Sequence, residues 1–239
     1  MKPTCALHVS FGQLDAAKAL VMKYHYSHRW PSVIEACGTL HQPGGLFGNL
    51  GEAVAACVFG IPPTRWSEAV LELERLVRRD DVSVPLTGLI SATCEDVRRR
   101  GTFDLLVSYA DWTQGHHGGI YQAASWNYDG QRERAQDGLV VNGKFVPGRM
   151  CFNLWGTRSP NQLRHEHRRW DIQPHYDEGK HLYWRALSRH GMKKATRLGL
   201  RCSPYPKPAV QVSMVTRGAS SAESRVQPPG TAPYQESPP

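Results

Sequence analysis

Between Gln13 and Tyr24 the apolar residues Leu14, Ala17, Leu20, Val21 and Tyr24 recur at helical spacing, and Asp15 stands near the start, where a carboxylate suits the helix dipole. The spacing predicts a first helix that ends before His25-Tyr26-Ser27-His28-Arg29-Trp30-Pro31. Gly44 to Gly60 reads as two strands around the turn Asn49-Leu50-Gly51, the second being the apolar run Ala53 to Phe59. Alternation predicts a third strand from Ala69 to Val77. Pro85 suits the first turn of a helix with Ser83 as its cap, and Leu86, Leu89, Ile90 and Val97 give that helix an apolar face through Arg100. Phe103 to Tyr109 follows as a short strand.

The order strand, strand, strand, loop, helix, strand predicts a mostly antiparallel central sheet flanked by helices, in the α+β (mixed α/β) class. Further on, Gly115 to Trp126 supplies a helix or helical turn, and Asn142-Gly143 between short apolar runs predicts a hairpin from Leu139 to Val146. His181 to Leu187 reads as a last strand and Arg189 to Leu198 as a basic helix. After Pro208 the composition turns to Ser, Gly, Gln and Pro, with too little apolar content to order itself. The expectation is one domain over residues 1–208 and a disordered tail over 209–239.

The 239 residues are 40% apolar, enough for one substantial core. Lys and Arg number 29 against 21 acidic residues, a formal charge of +8, so a polyanion is the natural partner to consider. The basic groups cluster at Arg75 to Arg79, Arg98 to Arg100, Arg164 to Arg169 and Lys193 to Arg201, and such groups neutralise phosphates and release counterions. The six cysteines are scattered without a CxxC pair and read as reduced residues of a reducing compartment. No signal peptide or apolar span of roughly 20 residues is found, which predicts a cytoplasmic protein without membrane contact.

Reactive side chains concentrate in Ser108-Tyr109-Ala110-Asp111-Trp112-Thr113-Gln114-Gly115-His116-His117-Gly118-Gly119-Ile120-Tyr121, where an apolar strand opens into a Gly-rich turn. Ser108, Asp111, His116 and Tyr121 are candidates there: Asp111 or His116 to steer or deprotonate an amine, Tyr121 to protonate a leaving group. A turn-capping Asp111 and a core-packed Tyr121 are the alternative. In the second cluster, His25 and Tyr26 add catalytic candidates. Trp30 or Tyr26 could stack on a base lifted from a duplex while Arg29 holds a phosphate; otherwise the segment is a helix stop. Arg98, Arg99, Arg168, Arg169, Lys193 and Lys194 complete the candidate DNA-binding set.

A third feature runs from Glu72-Leu73-Glu74-Arg75 through Val77 and Arg78 to the helix start at Ser83 to Thr87. A helix N-terminus preceded by arginines can receive a coenzyme pyrophosphate, which makes Arg75, Val77, Arg78, Ser83 and Thr87 candidate cofactor-binding residues. It is not a Walker-type loop, since no Gly-Lys-Ser or Gly-Lys-Thr occurs there. His165-Glu166-His167 fits an exposed helical face better than a metal pair, and His25 with His28 falls at a helix end, so the sequence leaves a metal open.

Taken together, His25-Tyr26-Ser27, Glu72-Leu73-Glu74-Arg75-Leu76, Val107 to Asp111, Gly115 to Ala123 and Pro204-Tyr205-Pro206-Lys207 resemble the Mom family and related phage GNAT-like proteins. The resemblance spans about His25 to Lys207 and is most specific from Ser108 to Ala123. It implies a GNAT-like acyltransferase fold, an acyl-CoA-type donor, double-stranded DNA as partner and the host cytoplasm as location. The implied reaction converts adenine in DNA to an N6-carbamoylmethyl (acetamido) form that protects phage DNA from restriction. Simple acetyl transfer would leave an amide instead, so that product needs a different donor or an added step. Two other readings compete: an ordinary GNAT N-acyltransferase acting on a protein or small amine, and a non-enzymatic DNA-binding protein.

Overall fold

A computed structural model describes residues 7–44, 50–62, 66–111 and 117–206. The tail expected over 209–239 lies outside the described residues.

Seven strands form one sheet in the order β1 (His8–Phe11), β2 (Ile34–Pro43), β3 (Leu50–Gly60), β4 (Leu71–Arg78), β5 (Leu105–Ala110), β10 (His181–Ala186) and β6 (Asn127–Gln131). Every neighbour pair is antiparallel except β4 and β5. The class is mixed α+β, with a mostly antiparallel sheet flanked by helices, as expected. Helices α1 (Leu14–Tyr24) and α6 (Arg189–Arg197) cover one face, and α2 (Thr87–Arg100) and the short α3 (Gly119–Ala123) cover the other.

The layering follows from alternation along the strands. On β5, Leu105 and Val107 enter the cluster under α6 while Leu106 faces α2. On β3, Ala56 and Val58 meet α1 while Ala55, Cys57 and Phe59 face α2. The helix α1 buries Ala17, Leu20 and Val21, three of the residues whose spacing predicts it.

The expected strand pair in Gly44 to Gly60 is only half right. Its second member is β3, but the partner is β2, which begins at Ile34, and residues 45–49 are not among those described. Two polar residues obscure β2 in the sequence. Thr39 and His41 are both buried and hydrogen-bonded to each other at 2.8 Å, so positions that read as surface are core.

Residues 132–180 leave the sheet after β6 and return at β10, building a module of their own. It holds a second sheet in the order β8 (Lys144–Pro147), β7 (Gln136–Val141), β9 (Ile172–Tyr176), with α4 (Gly148–Trp155) and α5 (Pro160–Glu166) beside it. The predicted hairpin joins β7 to β8: Asn142 and Gly143 both have positive φ, 50° and 77°, as a tight two-residue turn requires. Leu139, Cys151, Leu163 and Ile172 form the module's core, separate from the clusters of the main sheet. Among the described residues no helix is long and apolar enough to cross a membrane.

Candidate functional site

Among the described residues the one parallel pairing is short. Strands β4 and β5 match only at Leu71 with Leu106 and Glu72 with Val107, and beyond those positions they separate. Their separation opens a cavity of about 830 Å³. Its walls come from both layers: Leu73 and Tyr121 belong to the α2-side cluster, and Tyr109 packs against the α6-side cluster. The gap therefore reaches from one face of the sheet to the other.

Strand β4 supplies most of the lining. Against β3 its register shifts so that Val58 faces Arg75 and Phe59 faces Leu73, leaving Glu74 as an extra residue. Such a bulge bends the strand and changes which residues face each side. Leu71 and Leu73 lie on the α2 side before it and Leu76 after it. Glu72, Glu74, Arg75 and Arg78 all border the cavity.

Two carboxylates that share one cavity wall cannot both ionise freely. Burial and the neighbouring Glu74 push the Glu72 carboxyl up to about 7, against the opposing charges of Lys180 and Arg75. Burial also raises Glu74, which Arg75 and Arg149 partly offset. Glu72 is thus divided between acid and base near neutral pH.

At the helix end of the cavity, α2 begins at Thr87 with Leu86 as N-cap and without a side-chain cap. Ser83 is exposed and does not cap the helix as expected. Val84, Pro85 and Leu86 line the cavity just before the helix, and Arg78 holds this loop by donating to the Val84 carbonyl at 3.0 Å. An N-terminus without a side-chain cap, beside an arginine, suits an anion.

The opposite wall joins the two reactive clusters of the sequence. His25 and Tyr26, just past α1, border the same cavity as Asp111 at the end of β5 and Tyr121 on α3. The His25 ring is buried, and its Nδ1 accepts from the Ser27 backbone N–H at 3.1 Å, which places the ring proton of a neutral imidazole on Nε2. Tyr26 packs against it with centroids 4.4 Å apart and the ring planes tilted by 30°. Tyr26 is 54% exposed, and partial burial, with Asp111, raises its phenol above the ordinary value. Tyr121 is buried among Trp126 and Tyr183, and burial lifts its phenol well above the ordinary value, against a hydrogen bond with Ser108.

Residues 6–207 match the Mom protein family. The chain belongs to that family. No curated protein matches it. Among solved structures it is similar to the ribosomal-protein-S18-alanine N-acetyltransferase from Escherichia coli, at 11% identity over 77% of this chain and 95% of that one, with a TM-score of 0.42. It is also similar to an N-acetyltransferase from Staphylococcus aureus Mu50, at 8% identity over 76% of this chain and 98% of that one, with a TM-score of 0.40.

Not every expected residue of this Mom-family chain reaches the cavity. Ser108 is fully buried and donates its hydroxyl to the Leu73 carbonyl at 3.0 Å, so it ties β5 to β4 behind the wall instead of facing a substrate. The Val77 side chain lies on the far side, in the cluster under α1. Thr87 opens α2 beyond the lining residues. His116 lies outside the described residues.

The expected DNA contacts divide in the same way. Arg98 forms two bonds to Glu95 and Arg100 pairs with Asp96 at 2.5 Å, whereas Arg99, 4.0 Å from the same Asp96, stays exposed. Lys194 is buried and 2.8 Å from Asp104, which corrects its expected place on a DNA-binding face: its ammonium serves a carboxylate inside the protein. Trp30 is half-buried against the α1 cluster, and Arg29, though exposed, accepts from Arg75 through its carbonyl at 2.9 Å. Arg168, Arg169 and Lys193 are exposed.

Glu72, Glu74, Tyr109 and Lys180 were not among the candidates read from sequence, although all four line the cavity. The signal was present for the first two. Carboxylates alternating with leucines on a strand at the middle of a sheet need a reason to be there, because buried charge is costly. Among the described residues, no group of three or more His, Cys, Asp or Glu side chains is placed to hold a metal ion.

Proposed function

We propose that this protein is a DNA-modifying transferase that alters adenine at its exocyclic N6, forming the carbamoylmethyl derivative that shields phage DNA from restriction. The observation that carries this reading is the cavity through the sheet of a Mom-family chain, which joins an anion-suited helix start to a cluster of proton-transfer groups. Duplex DNA is the partner and an acyl-CoA-type molecule the donor.

The residues fit such a donor. The uncapped start of α2 and Arg78 would hold its phosphates, and the gap between β4 and β5 would take its arm. When bound, the donor supplies an activated carbonyl compound. Attack of N6 on that carbonyl leaves an amide. The N6–CH2 bond therefore forms at a methylene carbon that carries a leaving group, which departs with the bonding pair as N6 gives up its proton, and the carboxamide is already on the fragment or is made in a separate step.

The protein's own groups serve the base. An exocyclic amine is a poor nucleophile because its lone pair is delocalised into the ring, so orientation and proton removal both matter. Glu72, titrating near 7, is matched to accept the N6 proton at neutral pH. Asp111 and Tyr26 border the place where an extruded adenine would stack. The raised phenol of Tyr121 stays protonated and can donate.

The test is direct. Express the protein, digest the cellular DNA to nucleosides and search by mass spectrometry for modified deoxyadenosine. Asp111→Ala and Tyr121→Phe are expected to abolish the new nucleoside with DNA affinity nearly unchanged. Folded protein that leaves every deoxyadenosine unmodified would refute the reading.

A further inference from the structure

The module of residues 132–180 is larger than its connecting task needs, since β6 and β10, which it joins, are hydrogen-bonded neighbours. A short turn would serve. The module instead presents an unusual helix. Of the eight residues of α4, Gly148 and Cys151 are buried and Trp155 is partly so, whereas Arg149, Met150, Phe152 and Leu154 face solvent. Phe152 and Leu154 are 52% and 56% exposed. Met150 and Leu154, one turn apart, share a face of this short helix and are 42% and 56% exposed, whereas Phe152 lies on its other flank, and such an exposed apolar face marks a surface that meets something.

The surroundings of this helix identify the kind of partner. Arg149 lies in the first turn of α4, and its charge acts on the Glu74 carboxyl that borders the cavity. At its other end Trp155 lies against Trp170, with centroids 5.9 Å apart, so Arg168 and Arg169 stand beside the end of the helix. All three arginines are exposed, and none has an ion pair among the described residues. On α2 and α6, by contrast, Arg98, Arg100, Lys194 and Arg197 are matched to Glu95, Asp96, Asp104 and Glu68. Three exposed arginines without an ion pair among the described residues thus flank an apolar helix face, a combination suited to a polyanion that also offers flat apolar surfaces. Eight helical residues span about 12 Å, the length of three to four base steps.

We propose that α4 and the Arg168-Arg169 loop form the duplex-docking element of the protein. Arg149, Arg168 and Arg169 take backbone phosphates, while Met150 and Leu154, on one face of α4, enter the groove and prise open the step next to the base drawn into the cavity. The proposal rests on the DNA-directed reading above and adds where and how the duplex is held.

The experiment uses the full chain, a fluorescein-labelled duplex of about 30 base pairs and anisotropy titrations from about 50 to 200 mM salt. A second duplex carries 2-aminopurine beside the target adenine to report unstacking. Arg168→Ala with Arg169→Ala is expected to weaken binding roughly tenfold or more and to make the salt slope shallower by about 1.8, two lost phosphate contacts. Met150→Ser with Leu154→Ser is expected to keep the slope and lose the 2-aminopurine signal. All four side chains are exposed, so melting curves should stay close to wild type, and the arginine pair decides the matter if the apolar pair misfolds. Wild-type affinity, slope and unstacking in both variants would overturn the proposal and leave the DNA reading intact. Loss of a wild-type dimer in the apolar variant, with unaltered DNA binding, would overturn it in favour of a self-interface. A folded wild type that binds no duplex at any salt would overturn the DNA reading itself.

Discussion

Tyr183 and Gly118 interlock at the foot of the cavity. Gly118 has φ of 78°, and its missing side chain leaves room for the Tyr183 ring, whose hydroxyl donates to the neighbouring His117 carbonyl at 2.7 Å. That hydroxyl also accepts from Gln122 at 3.1 Å, so one phenol pins both the entry and the body of α3, the helix that carries Tyr121.

Gly118→Ala should therefore act on both stability and chemistry. The new Cβ must sit in a left-handed backbone conformation and against the Tyr183 ring, a combined cost of about 2–4 kcal/mol. Tyr183→Phe keeps the ring and loses the hydrogen bonds, which should cost about 1 kcal/mol. Denaturant midpoints would order the two, and a Gly118→Ala protein as stable as wild type would show that the interlock does not hold α3.

Glu72 makes a prediction with a defined pH window. Its carboxyl titrates near 7 in the folded chain and near 4.5 when unfolded, so the folded state binds the proton more tightly. The stability this contributes is full below pH 4.5 and is lost as pH rises through 7. Glu72→Gln should consequently be more stable than wild type at about pH 8, by roughly 2–3 kcal/mol, with the difference shrinking as pH approaches 4.5. It should also lose DNA modification. Wild-type modification should rise with pH through about 7, whereas a Glu72→Gln protein that still modifies DNA would remove this carboxyl from the mechanism.

The same residue shows where sequence reading succeeded and stopped. Apolar spacing places α1, β4, α2, β5 and β10, with Pro85 marking the start of α2, while α6 is read from its basic composition. It misses β2, whose buried Thr39 and His41 satisfy each other, and the module helices α4 and α5, one of which exposes its apolar residues. The clusters at His25-Tyr26 and Ser108 to Tyr121 are visible as chemistry, but their meeting across one cavity is a product of the fold. Glu72 and Glu74 leave a trace in the sequence, as carboxylates alternating with leucines, but their purpose depends on the divergence of β4 from β5, which opens the cavity that they line. Lys194 errs in the opposite direction. Within a run of basic residues nothing distinguishes the one lysine that the fold turns inward.

Lys194 allows that distinction to be measured. Burial alone would raise the Asp104 carboxyl, but bonds from Lys194 and His190 hold it below the ordinary carboxylate value. Lys194→Met keeps the stem and leaves Asp104 to His190, which should cost roughly 1–3 kcal/mol, less than a fully buried pair because both side chains retain some exposure. Adding Asp104→Asn should recover part of the loss, since the uncompensated charge is then gone. Duplex affinity and its salt slope should not change in either variant. A slope shallower by about 0.9 in Lys194→Met, with unaltered melting, would mean that the lysine leaves Asp104 for a phosphate.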